Sequence, residues 1–348
     1  MSKTSAIAAS TDQVIEADSA PTESATGPLP AAARRTRWAV LANSAVIIGF
    51  VVMVAIFGYL RPDTFLQFAT VQDVLNQAAV PVILACGVTL TLAVGQFDLS
   101  FTAVMGLAAG IVMALMSKQG LGSPLAILIA LIGATLVGLV IGILVAWGGA
   151  SSFIVTLAMS SVLAGLETMV TNNQNIYLKI PESYQAIATN KFLGFNLPVW
   201  IMLLTVFACA VLLHATRFGR HVYAAGSNPR ASFLAGVRNR MVITSTFVIL
   251  AFLAGLGAII ATSKAVSYYP NVATGFLLSS YAAVFLGAAV GRSNRFTILG
   301  SSLGVIWLLT LQTGLTQLNQ PGWVSNLIQG LVLAVAVLIA ARSRKAGA

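Results

Sequence analysis

Ten apolar segments of 15 to 23 residues recur along this chain, and their length constrains the fold more than any other feature. They cover residues 39–60, 74–94, 99–116, 125–147, 153–170, 198–214, 241–262, 276–290, 296–314 and 323–341. A helix rises ~1.5 Å per residue and bilayer hydrocarbon is ~30 Å thick, so about 20 apolar residues make one crossing. Only 8% of the residues are charged, while 58% are hydrophobic. That polar fraction cannot clothe a water-facing surface, so lipid is the solvent for most of the chain. The fold class is therefore all-α: a polytopic membrane helix bundle of about ten transmembrane helices.

Charge placement orients the bundle. With an even number of spans, fourteen Lys and Arg residues fall on the side that holds both termini and five on the other. Basic loops stay in the cytoplasm, so both termini are expected there, in a bacterial plasma (inner) membrane. Trp38, Trp147, Trp200 and Trp323 stand at segment ends, as interfacial aromatic residues do. The net charge of +10 reads as this bias and as attraction to anionic headgroups. No clustered basic face on a soluble module exists to bind nucleic acid.

Residues 1–33 are rich in Ala, Ser, Thr and Pro and show no apolar period, so they read as a disordered cytoplasmic tail. Arg34, Arg35 and Arg37 with Trp38 open the transmembrane domain, residues 34–345. Cys86 and Cys209 each sit inside an apolar run, which suggests packing rather than a disulfide or metal site. In the fourth segment Ala134, Gly138, Gly142 and Ala146 repeat every four residues, a spacing that lets helix backbones approach closely. Gly300 and Gly304 repeat the theme.

The longest basic loop, residues 214–241, carries helix punctuation that anchoring alone does not require. Asn228 suits an N-cap, Pro229 the first helical position, and Gly236 a left-handed stop. About two turns of helix lie between them, with Phe233, Leu234 and Val237 as its apolar residues. So short a helix needs something to pack against, either lipid headgroups or a partner's groove.

A carboxylate also stands where the surroundings are hostile to one. Asp98, in the run Gly95-Gln96-Phe97-Asp98-Leu99-Ser100, separates two apolar segments. One reading makes it the N-cap of the third span, which would begin at Leu99 or Ser100. The other makes Asp98, with Gln96 and Ser100, part of a solute route, since charge within a membrane is a functional candidate by default.

Three stretches carry a resemblance to a known family. "VILACGVTLTLAVGQFDLSFTAVMGLAAGIVMAL", "SSFIVTLAMSSVLAGLE" and "TRFGRHVYAAGSNPRASFLAGVRNRMVI" resemble the permease subunit of ribose/xylose-type ABC sugar importers, and the likeness runs from about Thr64 to Ala341. The third is the most specific, because its T-R-F-G-R and A-x-G-x-N-P-x-A elements match in order and spacing. The chain departs from the family where Gly95-Gln96-Phe97 replaces Gly-Gly-Ile, and in the eighth span, where Leu278 to Ala288 lacks the acidic residue that precedes the family's Ala-Val-Leu-Gly-Gly core.

The resemblance implies a pore-forming subunit working as a homodimer, with an ABC ATPase subunit and an extracytoplasmic solute-binding protein. Asn228, Pro229, Arg230, Phe233, Leu234 and Gly236 would form the ATPase-coupling helix. Lys179, Glu182 and Lys191, in the longest outer loop, would help dock the binding protein. The translocation path would draw on Gln96, Asp98, Ser100, Asn76 and Tyr268 for a small polar solute, most simply a monosaccharide or polyol. ATP and Mg would reside in the ATPase partner, and this chain itself would bind no cofactor or metal.

Energy coupling gives an independent argument. The sequence contains no Gly-Lys dipeptide, hence no Walker A loop to hold ATP phosphates. An ion-coupled secondary transporter, the alternative, usually places paired ionisable residues within its spans; here Asp98, Glu167 and His214 are the scattered candidates. An intramembrane enzyme would need converging catalytic groups, yet both histidines, His214 and His221, lie in the basic loop.

Overall fold

In the computed structural model, residues 47–290 and 295–345 are described. The tail, the Arg34–Trp38 cluster and the start of the first segment lie outside these residues. Among the described residues, helices occupy the greater part of the second to tenth apolar segments and residues 47–60 of the first. In chain order they are α1 (Ile47–Leu60), a single turn α2 (Pro62–Phe65), α3 (Phe68–Ala93), α4 (Phe101–Gln119), α5 (Ser123–Trp147) and α6 (Ser152–Thr171). Then follow α7 (Glu182–Thr189), the hairpin β1 (Lys191–Phe192) and β2 (Phe195–Asn196), α8 (Leu197–His214), α9 (Arg217–Ser227), α10 (Pro229–Leu234), α11 (Asn239–Ala265), α12 (Phe276–Val290), α13 (Ile298–Gln317) and α14 (Gly322–Lys345). Among the described residues, seven helices are long and apolar enough to cross a membrane: α3, α4, α5, α6, α8, α11 and α13.

Burial follows position in the bundle. α3 and α4 are enclosed along most of their length and α11 along two thirds, whereas α5 and α6 turn most of their surface outward. α3 packs against α8, α11, α12 and α13, and α11 is wedged between α5, α3 and α4. The apolar residues left exposed, such as Leu128, Leu136 and Leu144 on α5 or Leu157 and Met169 on α6, face where lipid or another subunit would lie.

Small residues set the closest approaches, and they do so within the subunit. A Cβ placed on Gly138 would come within 2.3 Å of Ala251 Cβ, and one on Gly142 within 2.9 Å of Thr244 Cα. Thr244 Oγ1 also donates to the Gly142 carbonyl at 3.2 Å, so α5 and α11 touch backbone to backbone. Gly304 lies against the Ala283 carbonyl in the same way, joining α13 to α12. Replacing Gly138 with Leu should destabilise the fold by about 1–3 kcal/mol through overpacking. Gly165→Leu on the open face of α6, where nothing lies within 4 Å, is the control. The check is the thermal midpoint of detergent-purified protein, which should fall for the first variant and hold for the second.

α12 has only 15 residues, too few to cross ~30 Å of hydrocarbon alone. The stretch before it is irregular: Val266 and Asn271 are left-handed, and Tyr268 exchanges backbone bonds of 2.9 and 2.8 Å with Ile176. Tyr268 and Ala273 are buried, which is the condition under which non-helical backbone persists at membrane depth.

Two elements are additions to the sequence reading. The outer connection after α6 is built rather than merely solvated: α7 plugs Tyr184 into the bundle, where its hydroxyl meets Thr262 Oγ1 at 2.6 Å. Burial pushes the Tyr184 phenol above its ordinary pKa, so it remains a neutral hydroxyl. The basic loop also contains α9, capped by Thr216, whose side chain accepts from the Gly219 N–H.

Candidate functional site

Three places in the bundle gather the candidate residues. The first is the basic loop. Asn228 Oδ1 accepts from the Ala231 N–H at 2.9 Å, Pro229 occupies the first turn, and Gly236 takes φ +84°. Only glycine adopts that angle without strain, and it lets the Val237 N–H close on the Ser232 carbonyl at 3.0 Å. The result is α10, six residues presenting Phe233 and Leu234 at 69% and 80% exposure. Arg230 is exposed beside them.

α10 is firmly tied to what lies behind it. Asn239, the first residue of α11, accepts from Ser232 Oγ at 3.0 Å and donates to the Pro229 carbonyl at 2.7 Å. α9, just before α10, seats Gly226 against the end of α3, where an added Cβ would sit 2.0 Å from the Ala93 carbonyl oxygen. A cavity of about 580 Å³ opens beside this contact, lined by Gly95, Tyr223, Gly226, Ser227, Arg295 and others. Tyr223 donates to the Phe296 carbonyl at 2.7 Å. Burial raises its phenol pKa, against the pull of the Arg295 guanidinium, so this donor keeps its proton.

The second place is the α3–α4 connection. Gly95, at φ +83°, turns the chain out of α3. The Gln96 N–H still reaches the Thr91 carbonyl of α3 (2.8 Å), and each of the four N–H groups after it finds a side chain. The Phe97 N–H reaches Ser152 Oγ (3.1 Å), Asp98 reaches the Tyr281 hydroxyl (3.0 Å), Leu99 reaches Thr156 Oγ1 (3.0 Å), and Ser100 reaches Asp98 Oδ1 (2.7 Å). The Tyr281 hydroxyl in turn donates to the Asp98 carbonyl at 2.7 Å. Thus α6 and α12 hold an irregular strand of backbone by its polar groups.

Asp98 is not at the N-cap position. α4 begins at Phe101 with Ser100 as the cap residue, and the Asp98 carboxylate, two residues before that cap, accepts from the Ser100 N–H. Because remote hydroxyls satisfy residues 97 to 99, the chain stays non-helical one or two residues longer than expected. Asp98 is 3% exposed and Ser100 is buried, while Gln96 is half-buried.

The third place surrounds Tyr268, which donates its hydroxyl hydrogen to Glu167 Oε1 at 2.7 Å. Asn76 lies apart, on α3, where Lys264 Nζ donates to its carbonyl and its own Oδ1 has no partner. The five candidate path residues therefore do not converge: Gln96, Asp98 and Ser100 share one site, and Tyr268 and Asn76 occupy two others. Lys179, Glu182 and Lys191 are all exposed on the connection between α6 and α8. Ser152, Thr156 and Tyr281 carried no local signal, since their partners lie 55, 57 and 183 residues away. Cys86 and Cys209 are free and buried. Among the described residues no group of three or more His, Cys, Asp or Glu side chains could hold a metal ion.

The fold and these sites make a polytopic helix bundle that presents a short capped helix, α10, on its basic loop. The chain belongs to the family described as branched-chain amino acid transport system / permease component, which matches residues 70–337. Among curated relatives, the ribose import permease protein RbsC of Bacillus subtilis is 31% identical, over 84% of this chain and 90% of its own length. RbsC of Escherichia coli K12 is 29% identical, over 84% and 92%. The L-arabinose ABC transporter permease protein AraH of Azospirillum brasilense is 29% identical, over 89% and 90%.

Proposed function

We propose that this permease is the translocation subunit of an ABC importer for a small neutral polyhydroxy solute of the monosaccharide class. The observation that carries the reading is α10: a capped helix whose two large apolar side chains are exposed at the basic end of the bundle. In water such a surface calls for a partner groove. A separate ATPase subunit supplies that groove, together with ATP and Mg. The names of the relatives, ribose and L-arabinose permeases, support the solute class.

On this reading the basic end and both termini face the cytoplasm of a bacterial cell, and two copies of the chain enclose the route. An extracytoplasmic solute-binding protein docks on the opposite face, against the α7 and hairpin region with Lys179, Glu182 and Lys191. Ion coupling is the weaker reading, because the two carboxylates buried among the described residues belong to separate sites: Asp98 bonds Ser100, and Glu167 bonds Tyr268. The test is co-purification in mild detergent followed by reconstitution. A nucleotide-hydrolysing subunit should accompany the chain, and uptake should require ATP. Uptake that survives ATP depletion but collapses with ionophores would refute the proposal.

A further inference from the structure

A cleft of about 300 Å³ opens between α4, α6 and the 271–277 segment. Its polar lining consists of Thr102, Ser160, Ser161, Glu167, Asn271 and Thr274. Leu157, the adjacent pair Ser160 and Ser161, Ala164 and Glu167 are linked by three- and four-residue steps, so they form one stripe along α6. Val162, Leu166 and Met169 on other sides of the same helix are large, apolar and exposed. The cleft side of α6 thus gathers Ser160, Ser161 and Glu167 beside Leu157 and Ala164, and polar groups in a span favour a face that lines a cavity over one that meets lipid.

Glu167 forms the base of this cleft and is 6% exposed. Both of its carboxylate bonds fall on Oε1, from the Tyr268 hydroxyl (2.7 Å) and from the Asn271 N–H (3.3 Å). Oε2 lies over Gly106, where a Cβ would come within 2.6 Å, so that glycine makes room for the carboxylate. The cleft therefore offers a fixed acceptor at its base and hydroxyl and amide groups along its walls. Its volume stands at the lower end for small-molecule sites.

We propose that this cleft holds the transported solute during passage, with Glu167 accepting hydrogen bonds from hydroxyl groups of a small neutral polyol. Ser161 and Asn271 complete the contact from the walls, and the aliphatic Leu157 and Leu277 cover the C–H faces of the ligand. A cation is a poorer fit, because one carboxylate oxygen already receives two donors and no second acid lines the cleft. The inference rests on the transport reading above and adds to it the site and its recognition chemistry.

The test uses the full chain with its ATPase and binding protein in proteoliposomes. Ser161→Cys should react with a small hydrophilic methanethiosulfonate, while Val162→Cys should not. The parent is the blank, since Cys86 and Cys209 are buried. Whichever of D-ribose and L-arabinose is taken up should slow the labelling. Glu167→Gln keeps an oxygen for Tyr268 and Asn271 but removes the charge. With the binding protein saturated with sugar, it should lower the uptake rate about tenfold or more, the size of one charge-assisted hydrogen bond, with unchanged protein in the membrane. An unlabelled Ser161→Cys, or a Glu167→Gln transporter with parental uptake, would overturn the site. So would loss of folded Glu167→Gln protein, which would make the carboxylate structural. Should the parent take up neither sugar, the solute class fails, and the labelling pair alone decides whether the cleft is a water-lined route.

Discussion

Phe233→Ser combined with Leu234→Ser is expected to abolish ATP-driven uptake while leaving membrane insertion and thermal stability at parental values. The two side chains are exposed, so their removal leaves no cavity and no orphaned polar group in the isolated chain. Across an interface the same residues would be buried apolar anchors, and central anchors of this kind lose ~2 kcal/mol or more each when truncated. Anchors of that size account for most of a docking energy, which explains why the effect should be near-complete rather than graded. Pull-down of the ATPase subunit and nucleotide hydrolysis should fall together with uptake. The rigid connections behind α10 give the docking a mechanical consequence: Asn239 binds it to α11, and Gly226 seats α9 on the end of α3. A push on α10 therefore reaches two of the most enclosed helices, and through α3 the Gly95–Ser100 turn. Normal uptake in the double variant would place the motor's contact elsewhere.

The membrane helices were legible because hydropathy and length are collective signals, averaged over some twenty residues. α5, for instance, was expected over 125–147 and is observed over Ser123–Trp147. α10 was legible for the opposite reason: Asn228, Pro229 and Gly236 are each specific to a helix end, and their bonds are local. α7 and α9 were missed because polar amphipathic helices of 8 and 11 residues look like loop when read beside membrane spans. Yet Phe218, Val222 and Ala225 have helical spacing, and Thr216 with Gly219 marks a cap. The grouping of the candidate site was not legible at all. Glu167 was visible as an acid in a span, but its contacts with Tyr268, Asn271 and Gly106 join three separate parts of the chain. No pattern within any one segment encodes them.

Substitution at the α3–α4 turn should separate two uses of Asp98, and the structural use is expected to prevail. Its carboxylate accepts from the Ser100 N–H and hydroxyl, and it does not line the cleft beside Glu167. Asp98→Asn retains an oxygen in the same place, so folded protein and uptake should both stay close to parental levels. Asp98→Ala removes the acceptor and leaves a buried N–H unpaired, at a cost of about 1–3 kcal/mol. Tyr281→Phe should be worse, although the residue lies 183 positions away. Its hydroxyl serves the Asp98 N–H and the Asp98 carbonyl at once, so deletion orphans two buried backbone groups, about 2–6 kcal/mol on the same basis. The expected order of folded yield, measured by fluorescence-detected size exclusion, is parent and Asp98→Asn first, then Asp98→Ala, then Tyr281→Phe. An Asp98→Asn protein that folds normally but does not transport would reverse the conclusion, because only the charge distinguishes it from the parent. The turn would then belong to the solute route, and the hydroxyls of Ser152, Thr156 and Tyr281 would serve to hold a working carboxylate in place.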